Sequence, residues 1–348
     1  MNFNQILSKI KPSKKEEEKL LNLSNKIISK LNIPNTKAML GGSGAKNTWL
    51  RGAHDIDIYV KFDYEKFKDK SDKLSDVLHK YLKKSFAKIE RLHGSRDYFN
   101  IKIKDYTLEI VPIIDIKSSD EAKNITDFSH MHVNYVKKHG RLSDEIRLAK
   151  RFAMSQEVYG AESYIRGFSG YAIELLVIHY GSFINLVKAA SKWKEKEIIG
   201  DKKIVDNLNP SKTESPLILL DPVQPDRNAT AALSKEKYQR FIIACKNFLK
   251  KPSKKLFEEN RINVKELKKK GKLMTLKVSP LKDKIDISGA KALKSFEYIK
   301  NKLIEGDFKI IDSIFKFDEK IAHFYYVVDK EKLSHLKKHY GPPTNNEK

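Results

Sequence analysis

Residues 39–60 read MLGGSGAKNTWLRGAHDIDIYV, and this stretch decides the fold. From Asp55 onward the residues alternate, with Asp55 and Asp57 set between Ile56, Ile58 and Val60. Side chains two apart share one face of a strand. The pattern predicts a strand with both acids on one side and a buried apolar row on the other. Ahead of it, Gly41, Gly42, Ser43 and Gly44 predict a tight turn, followed by Lys46. Unhindered backbone N–H groups in such a turn can hold phosphate oxygens. The stretch is not a Walker loop, because the Gly-Lys-Ser/Thr ending is missing. It is not a dinucleotide fingerprint either, because Asn47 stands where the last glycine belongs.

A second strand carries a third acid. Residues 99–116, FNIKIKDYTLEIVPIIDI, predict a hairpin turning at Lys104–Asp105, with Glu109 between Leu108 and Ile110. Three carboxylates on one sheet face repel one another. A like pair about 4 Å apart costs ~4 kcal/mol at an effective dielectric of about 20. Divalent cations relieve that cost, and oxygen ligands without cysteine suit magnesium. Two such ions can clamp the attacking and leaving oxygens of a phosphoryl transfer. The plainer alternative is that Asp55 and Asp57 line the solvated face of an edge strand.

Outward from this centre the chain reads as three segments. Residues 13–31 predict an amphipathic helix through Leu20, Leu23, Ile27 and Leu31, closed by Pro34, and residues 65–84 predict another. With the strands, they make residues 1–117 a small α/β domain on a mixed sheet. Residues 118–251 are mainly helical. Ile146, Ala149 and Ala153 form one stripe, SGYAIELLVIHYGSFINLVKAASKW is one long buried helix or two, and Ser234 caps a helix through FIIACKNFLKK. PLILLDPV between them reads as an ordered loop and strand. In residues 252–348, GKLMTLKVSP, FKIIDSIFKFD and IAHFYYVVD predict strands, and SGAKALKSFEYIKNKLIE and KEKLSHLKKHYG predict helices. The fold class is α/β plus α.

Composition narrows the function. Among 348 residues, 69 Lys and Arg against 45 Asp and Glu give a net charge of +24. A field of that sign favours nucleic acid, nucleotide phosphates or an anionic membrane face, although solvated lysine-rich faces alone would give the same count. One cysteine, Cys245, excludes a disulfide framework and an all-cysteine zinc site. No run approaches the roughly 20 apolar residues of a membrane span, since YAIELLVIHY is interrupted by Glu174. No signal peptide is read at the N-terminus, and a cytoplasmic location without a membrane is expected.

GGSGAKNTWLRGAHDIDIYV, with a third acid on a later strand, resembles the signature of the polymerase-β-type nucleotidyltransferases. The NTWL segment, followed in order by HVNYV, EIRLAKRF, YGAESYIRGFSGYAIELLVIHYGSF and LDPVQPDRNATAALS, resembles the archaeal (class I) CCA-adding enzymes over roughly residues 38–250. In residues 251–348 the clearest echo is KKHYGPP. Two departures stand out. The family usually has Glu-x-Asp on the first strand and Asp on the later one, whereas this chain has Asp55, Asp57 and Glu109. The family also usually continues beyond the Gly-Pro segment, with a tail that helps hold tRNA.

The resemblance implies a polymerase-β-type head over 1–117, a helical nucleotide-binding middle over 118–251 and a shortened α/β tRNA-contacting domain over 252–348. It implies addition and repair of the 3′ CCA on tRNA lacking all or part of it, from CTP and ATP, without a nucleic-acid template and with release of pyrophosphate. It implies a two-metal Mg²⁺ site at Asp55, Asp57 and Glu109, with Glu109 helping to deprotonate the tRNA 3′ hydroxyl. It implies that Ser43, Lys46, His132, Lys150 and Tyr159 bind the nucleotide, that Arg227 reads its Watson–Crick edge, and that the enzyme is a homodimer. Without the resemblance, Ser43 reads equally as a turn residue, Lys150 as a solvated lysine and Arg227 as a surface arginine. His130 and His132 read as structural, and Trp49 as packing the turn against the sheet. Within the superfamily, a poly(A) or oligoadenylate polymerase is the alternative activity. An inactive RNA-binding relative is a third reading, which the acid trio argues against.

Overall fold

The computed structural model describes residues 1–259, 262–281, 284–330, 332 and 341. They group into two compact units, one of residues 1–161 with 167–259, the other of residues 162–166 with the described residues beyond 260.

In the first unit, α1 (Asn4–Ile10) and α2 (Lys14–Ile28) open the chain. Ser13 and Glu16 form a capping box at the start of α2, which buries Leu20 and Ile27. A five-stranded mixed sheet follows, built from β1 (Thr36–Leu40), β2 (Asp55–Phe62), β3 (Glu90–Leu92), β4 (Tyr98–Ile103) and β5 (Tyr106–Ile114) in the order β1-β2-β5-β4-β3. The β2–β5 pair is parallel and the others are antiparallel. β2 therefore lies between two strands, which rules out the edge-strand reading of its acids. The expected hairpin of β4 and β5 turns at Lys104, with φ +53°.

Three local expectations change. The glycine turn is a short helix, α3 (Gly42–Lys46), stopped by Asn47 at φ +52°. β1 and β3 are additional strands. The helix predicted over 65–84 is α4 (Tyr64–Phe67), a 3-10 segment with non-helical Lys70, and α5 (Leu74–Ser85).

Helices dominate the remainder of this unit: α6 (Ser129–Lys138), α7 (Ser143–Ser155), α8 (Gly170–Tyr180) and α9 (Phe183–Ala190). The long apolar stretch is two helices, bent by 94°. Gly181 at φ +78° ends α8, and Ser182 caps α9. Both pack into the core, and no single helix among the described residues is long and apolar enough to cross a membrane. β6 (Glu197–Ile199), α10 (Lys202–Asp206), β7 (Leu217–Leu219) and α11 (Lys235–Lys250) complete the unit. Ser234 caps α11 as expected.

Two apolar cores fill this unit. One lies around the sheet (Ile58, Val60, Leu78, Phe99, Ile110) and one among the helices (Phe152, Phe168, Phe183, Phe241, Phe248), and α1 adds Ile6 and Ile10 to the second.

The second unit contains α12 (Val264–Lys270), β8 (Lys272–Val278), α13 (Ile285–Glu305), β9 (Ile310–Phe317) and β10 (Ala322–Val328). Its antiparallel sheet, ordered β8-β10-β9, matches the three predicted strands. Phe296 of α13 packs on Phe324 and Tyr326. α12 is an additional helix. Most of the helix predicted over KEKLSHLKKHYG and most of the KKHYGPP segment lie outside the described residues.

Candidate active site

The sheet places the three acids together. Ile56, Ile58, Val60 and Phe62 are fully buried beneath β2, and Asp55, Asp57 and Tyr59 occupy its other face. In the parallel register Asp57 stands beside Glu109, and Asp55 beside Thr107. Burial, with Asp57 and Asp55 beside it, pushes the Glu109 carboxyl up to about 7. Burial also raises Asp57, with Asp55 adding to the effect and Lys46 and Lys150 opposing it.

α3 crosses directly over these acids. The Gly41 N–H donates to the Asp57 carbonyl at 2.8 Å. Gly42 has φ +52°, and a Cβ there would fall 1.6 Å from Asp57 Oδ2. No side chain fits between this backbone and the carboxylate. Ser43 lies within α3, half-buried, and its carbonyl accepts from the Thr48 N–H at 3.0 Å.

Beside the acids is a buried ionic cluster centred on Glu174 of α8, which is fully enclosed. Its Oε2 pairs with Lys46 Nζ at 2.7 Å and its Oε1 with Lys150 Nζ at 2.7 Å. The Thr48 hydroxyl donates to Oε1 at 2.6 Å, and Lys150 Nζ also donates to Thr48 Oγ1 at 3.1 Å. Burial works against ionisation of Glu174, yet Lys150 and Lys46 hold its carboxyl at about 2. Lys150 is thus a buried cation, and the solvated-lysine reading is excluded. Tyr159 adjoins it, since a Cβ on Gly170 would fall 2.7 Å from the Tyr159 hydroxyl and 3.8 Å from Lys150 Cε.

A third group forms around Asp221, also buried. Arg227 Nη1 donates to its Oδ2 at 2.9 Å and the Tyr171 hydroxyl to its Oδ1 at 2.9 Å. His132 Nε2 lies 3.0 Å from Oδ2. Burial tends to raise Asp221, but His132, the Val223 amide and Arg227 together hold it below its ordinary range. The ring of Tyr171 links this group to the previous one, with Lys46 Nζ 5.6 Å and Arg227 Cζ 5.9 Å from its centroid. Arg227 is therefore anchored rather than loose on the surface. His130 is structural, both ring nitrogens lying within hydrogen-bond distance of main-chain carbonyls, those of Asp127 and Ile116. Trp49 is buried in the core around the sheet, as expected.

Among the described residues no three His, Cys, Asp or Glu side chains are already drawn together as a finished metal site. The donor set nonetheless fits a hard dication. Its ligand atoms are all oxygen, the acids share one sheet face, and burial together with the neighbouring carboxylates raises Glu109 and Asp57.

Residues 21–141 match the family model described as a nucleotidyltransferase domain, and residues 144–258 that of the tRNA nucleotidyltransferase second domain. The chain is 32% identical to the CCA-adding enzyme of Methanocaldococcus jannaschii, over 98% of this chain and 80% of that one. It is 35% identical to the CCA-adding enzyme of Nanoarchaeum equitans, over 98% of this chain and 85% of that one. The chain belongs to the archaeal CCA-adding enzyme family.

Its activity is therefore nucleotidyl transfer to tRNA, the reaction of a CCA-adding tRNA nucleotidyltransferase. Enzymes of this family use divalent metal ions. The chain's fold is also similar to a solved structure of the Cid1 poly(U) polymerase with Mg and 3′-dATP, with a TM-score of 0.59 and 14% identity over 74% of this chain and 97% of that one. At that identity the likeness concerns the fold alone. The two family segments, 21–141 and 144–258, both lie in the first unit apart from residues 162–166.

Sequence reasoning missed several residues that pack around this candidate site. In the sequence Glu174 stands out only as an interruption of an apolar run. Asp221 and Tyr171 were not singled out. Nor was Arg147, which is wholly buried and donates to the Trp49 carbonyl at 3.0 Å, Asn47 Oδ1 at 2.6 Å and Asp144 Oδ1 at 2.6 Å. The one usable signal was a charged residue inside an otherwise apolar helix, because such a group must find partners when buried.

Proposed function

We propose that CCA addition takes place over the face of β2 and β5, with Asp55, Asp57 and Glu109 holding two Mg²⁺ ions. The observation that carries this is the parallel register setting Glu109 beside Asp57, itself one of an alternating pair. When bound, the ions supply charge neutralisation for the entering and leaving oxygens.

The 3′ oxygen of tRNA lacking all or part of its CCA attacks the α-phosphorus of CTP or ATP. The new bond is O3′–Pα, the bond to the bridging oxygen of the β-phosphate breaks, and pyrophosphate leaves. Glu109, on the same sheet face as the two aspartates, helps to take the hydroxyl proton on a carboxylate oxygen. Lys46 and Lys150, with Ser43, Tyr159 and His132, bind the phosphate chain. The ionic cluster of two lysines and one glutamate carries one net positive charge beside the acids. Arg227, braced by Asp221, presents its planar donors to the base. Positioning and charge compensation carry most of such catalysis.

The same reading divides the chain into a catalytic head (1–117), a nucleotide-binding middle (118–251) and a tRNA-contacting C-terminal domain (252–348). Three apolar cores broadly follow it, although Ile6 and Ile10 of the head pack in the helical core and Phe128 of the middle packs in the core around the sheet. A homodimer in the cytoplasm completes the reading and rests on the family resemblance; sedimentation of the purified protein tests the dimer.

The deciding experiment offers tRNA trimmed of its CCA with CTP, ATP or both, with Mg²⁺ or a chelator, and sequences the products. Ordered C, C, A addition that requires Mg²⁺ is expected, and a homopolymer on any 3′ end would overturn the reading. As a check independent of turnover, Mg²⁺ is expected to raise the thermal unfolding midpoint of the wild type and not of Asp57→Asn.

A further inference from the structure

We propose that Glu174 is a positioning residue for the nucleotide's phosphate chain, holding Lys46 and Lys150 side by side through its two carboxylate oxygens. The inference rests on the reading that these lysines bind phosphate. Glu174 meets three side chains from two distant parts of the chain: Lys46 and Thr48, around the short helix over the acids, and Lys150 on α7. Each oxygen takes one ammonium at 2.7 Å, and Thr48 adds a donor to the oxygen that holds Lys150. Glu174 is wholly buried, and the Lys46 and Lys150 side chains are only 11% and 4% exposed.

Two buried ammonium groups without a counter-charge repel each other and lose hydration. Such a group neutralises or moves outward rather than remaining buried and charged. Glu174 therefore keeps both lysines charged and fixed before any ligand arrives. Pre-placed cations gain affinity because less is lost in ordering them on binding. Tyr171, one turn earlier on α8, donates to Asp221, which anchors Arg227. One helical turn thus braces the phosphate-facing lysines and the arginine proposed to read the base.

The test is equilibrium binding of CTP and of inorganic tripolyphosphate, without tRNA, to the wild type, Lys150→Met, Glu174→Gln and the double variant. Each single variant is expected to weaken both ligands about tenfold or more. The double variant is expected to lose less than the sum of the two single losses, since Glu174 acts in part through Lys150. Wild-type binding by Lys150→Met would overturn the underlying phosphate-site reading. Weakened binding by Lys150→Met, with Glu174→Gln at or above wild-type affinity, would overturn the inference about Glu174 alone, and so would additive losses in the double variant.

If Glu174→Gln does not fold, Thr48→Val removes one donor from Oε1 at nearly constant volume. A loss of about threefold in tripolyphosphate affinity is then expected, and unchanged affinity overturns the inference. In turnover assays kcat/KM for CTP is expected to fall more than kcat, because the loss lies in binding.

Discussion

Asp57 on β2 stands in direct register with Glu109 on the parallel strand β5, where burial and the two aspartates raise Glu109 to about 7 from an ordinary 4.5. Burial is the larger cause and the neighbouring aspartates the smaller. Between 4.5 and about 7 the folded chain holds a proton that the unfolded chain releases. Stability of the metal-free protein should therefore fall as pH rises through that window and stay reduced above it. Glu109→Gln removes the titrating group. In the presence of chelator it is expected to be more stable than the wild type at pH 8 by roughly 2–3 kcal/mol, and by much less at pH 5. Thermal or denaturant unfolding at the two pH values checks this, and a variant less stable than wild type at pH 8 would contradict the cost assigned here to burying the ionised carboxylate beside the aspartates.

The acids should be separable from tRNA binding. Asp55→Ala and Asp57→Ala are each expected to lower nucleotide addition by at least about a hundredfold, with tRNA affinity in a filter-binding assay nearly unchanged. Glu109→Asp draws the third carboxyl back by one methylene while Asp55 stays short, and reduced activity is expected. A gain would show that the exchanged chain lengths do not compensate each other.

Gly42 should tolerate no side chain. Its φ of +52° is already unfavourable for an L residue, and a methyl group would collide with Asp57 Oδ2. Gly42→Ala is expected to move the loop or the carboxylate, reducing kcat by about tenfold or more while the protein stays folded by circular dichroism. Wild-type kcat in this variant would show that the loop does not need to lie so close.

Much of this arrangement was legible because its signals are local. The alternation through Asp55 and Asp57 sets their face, and Leu108 and Ile110 set the face of Glu109. The register that places Glu109 beside Asp57 is not local, since it depends on a parallel pairing between residues 52 positions apart by their numbers. Lys46 and Glu174 are 128 residues apart, and Lys150 and Glu174 are 24 apart. No periodicity announces such pairs. The glycine-rich stretch was read as a turn because glycine favours turns, but tertiary packing fixes five residues as α3 before Asn47 stops it. β1 and β3 are short and lack clear alternation, so pairing with β2 and β4 defines them.

Arg147 should act as a structural pin with a functional readout. Its guanidinium holds Asn47, which ends α3, and the Trp49 carbonyl beside Thr48. Arg147→Met leaves the buried Trp49 carbonyl without this donor, at about 1–3 kcal/mol, and releases the exposed Asn47 side chain. A fall of several degrees in the unfolding midpoint is expected, together with weaker CTP binding, because Lys46 and Thr48 lie in the same segment. Arg147→Lys cannot reproduce the planar fork and should recover only part of the loss. Full stability of Arg147→Met in urea titration would refute this assignment.

Base selection provides the last test, on the proposal that Arg227, held by Asp221, faces the incoming base. CTP and ATP both present an exocyclic amine beside a ring-nitrogen acceptor, whereas UTP and GTP present a carbonyl beside a ring N–H. A planar guanidinium satisfies the acceptor and faces a donor in the wrong bases. An unpaired group in a closed site costs roughly 1–3 kcal/mol, which is about ten- to a hundredfold in discrimination. One Arg227 nitrogen is bound to Asp221 Oδ2, and the guanidinium lies near the face of Tyr171, so its plane is set before a base arrives. Arg227→Ala is expected to raise UTP incorporation relative to CTP about tenfold or more and to lower overall efficiency, with little rescue by Arg227→Lys. Asp221→Asn keeps the shape but weakens the brace, so it should loosen selectivity in the same direction by a smaller factor. Single-nucleotide addition assays with trimmed tRNA measure both. If Arg227→Ala keeps the wild-type preference for CTP over UTP, the base is read elsewhere, and the Asp221 brace serves the fold rather than the choice of nucleotide.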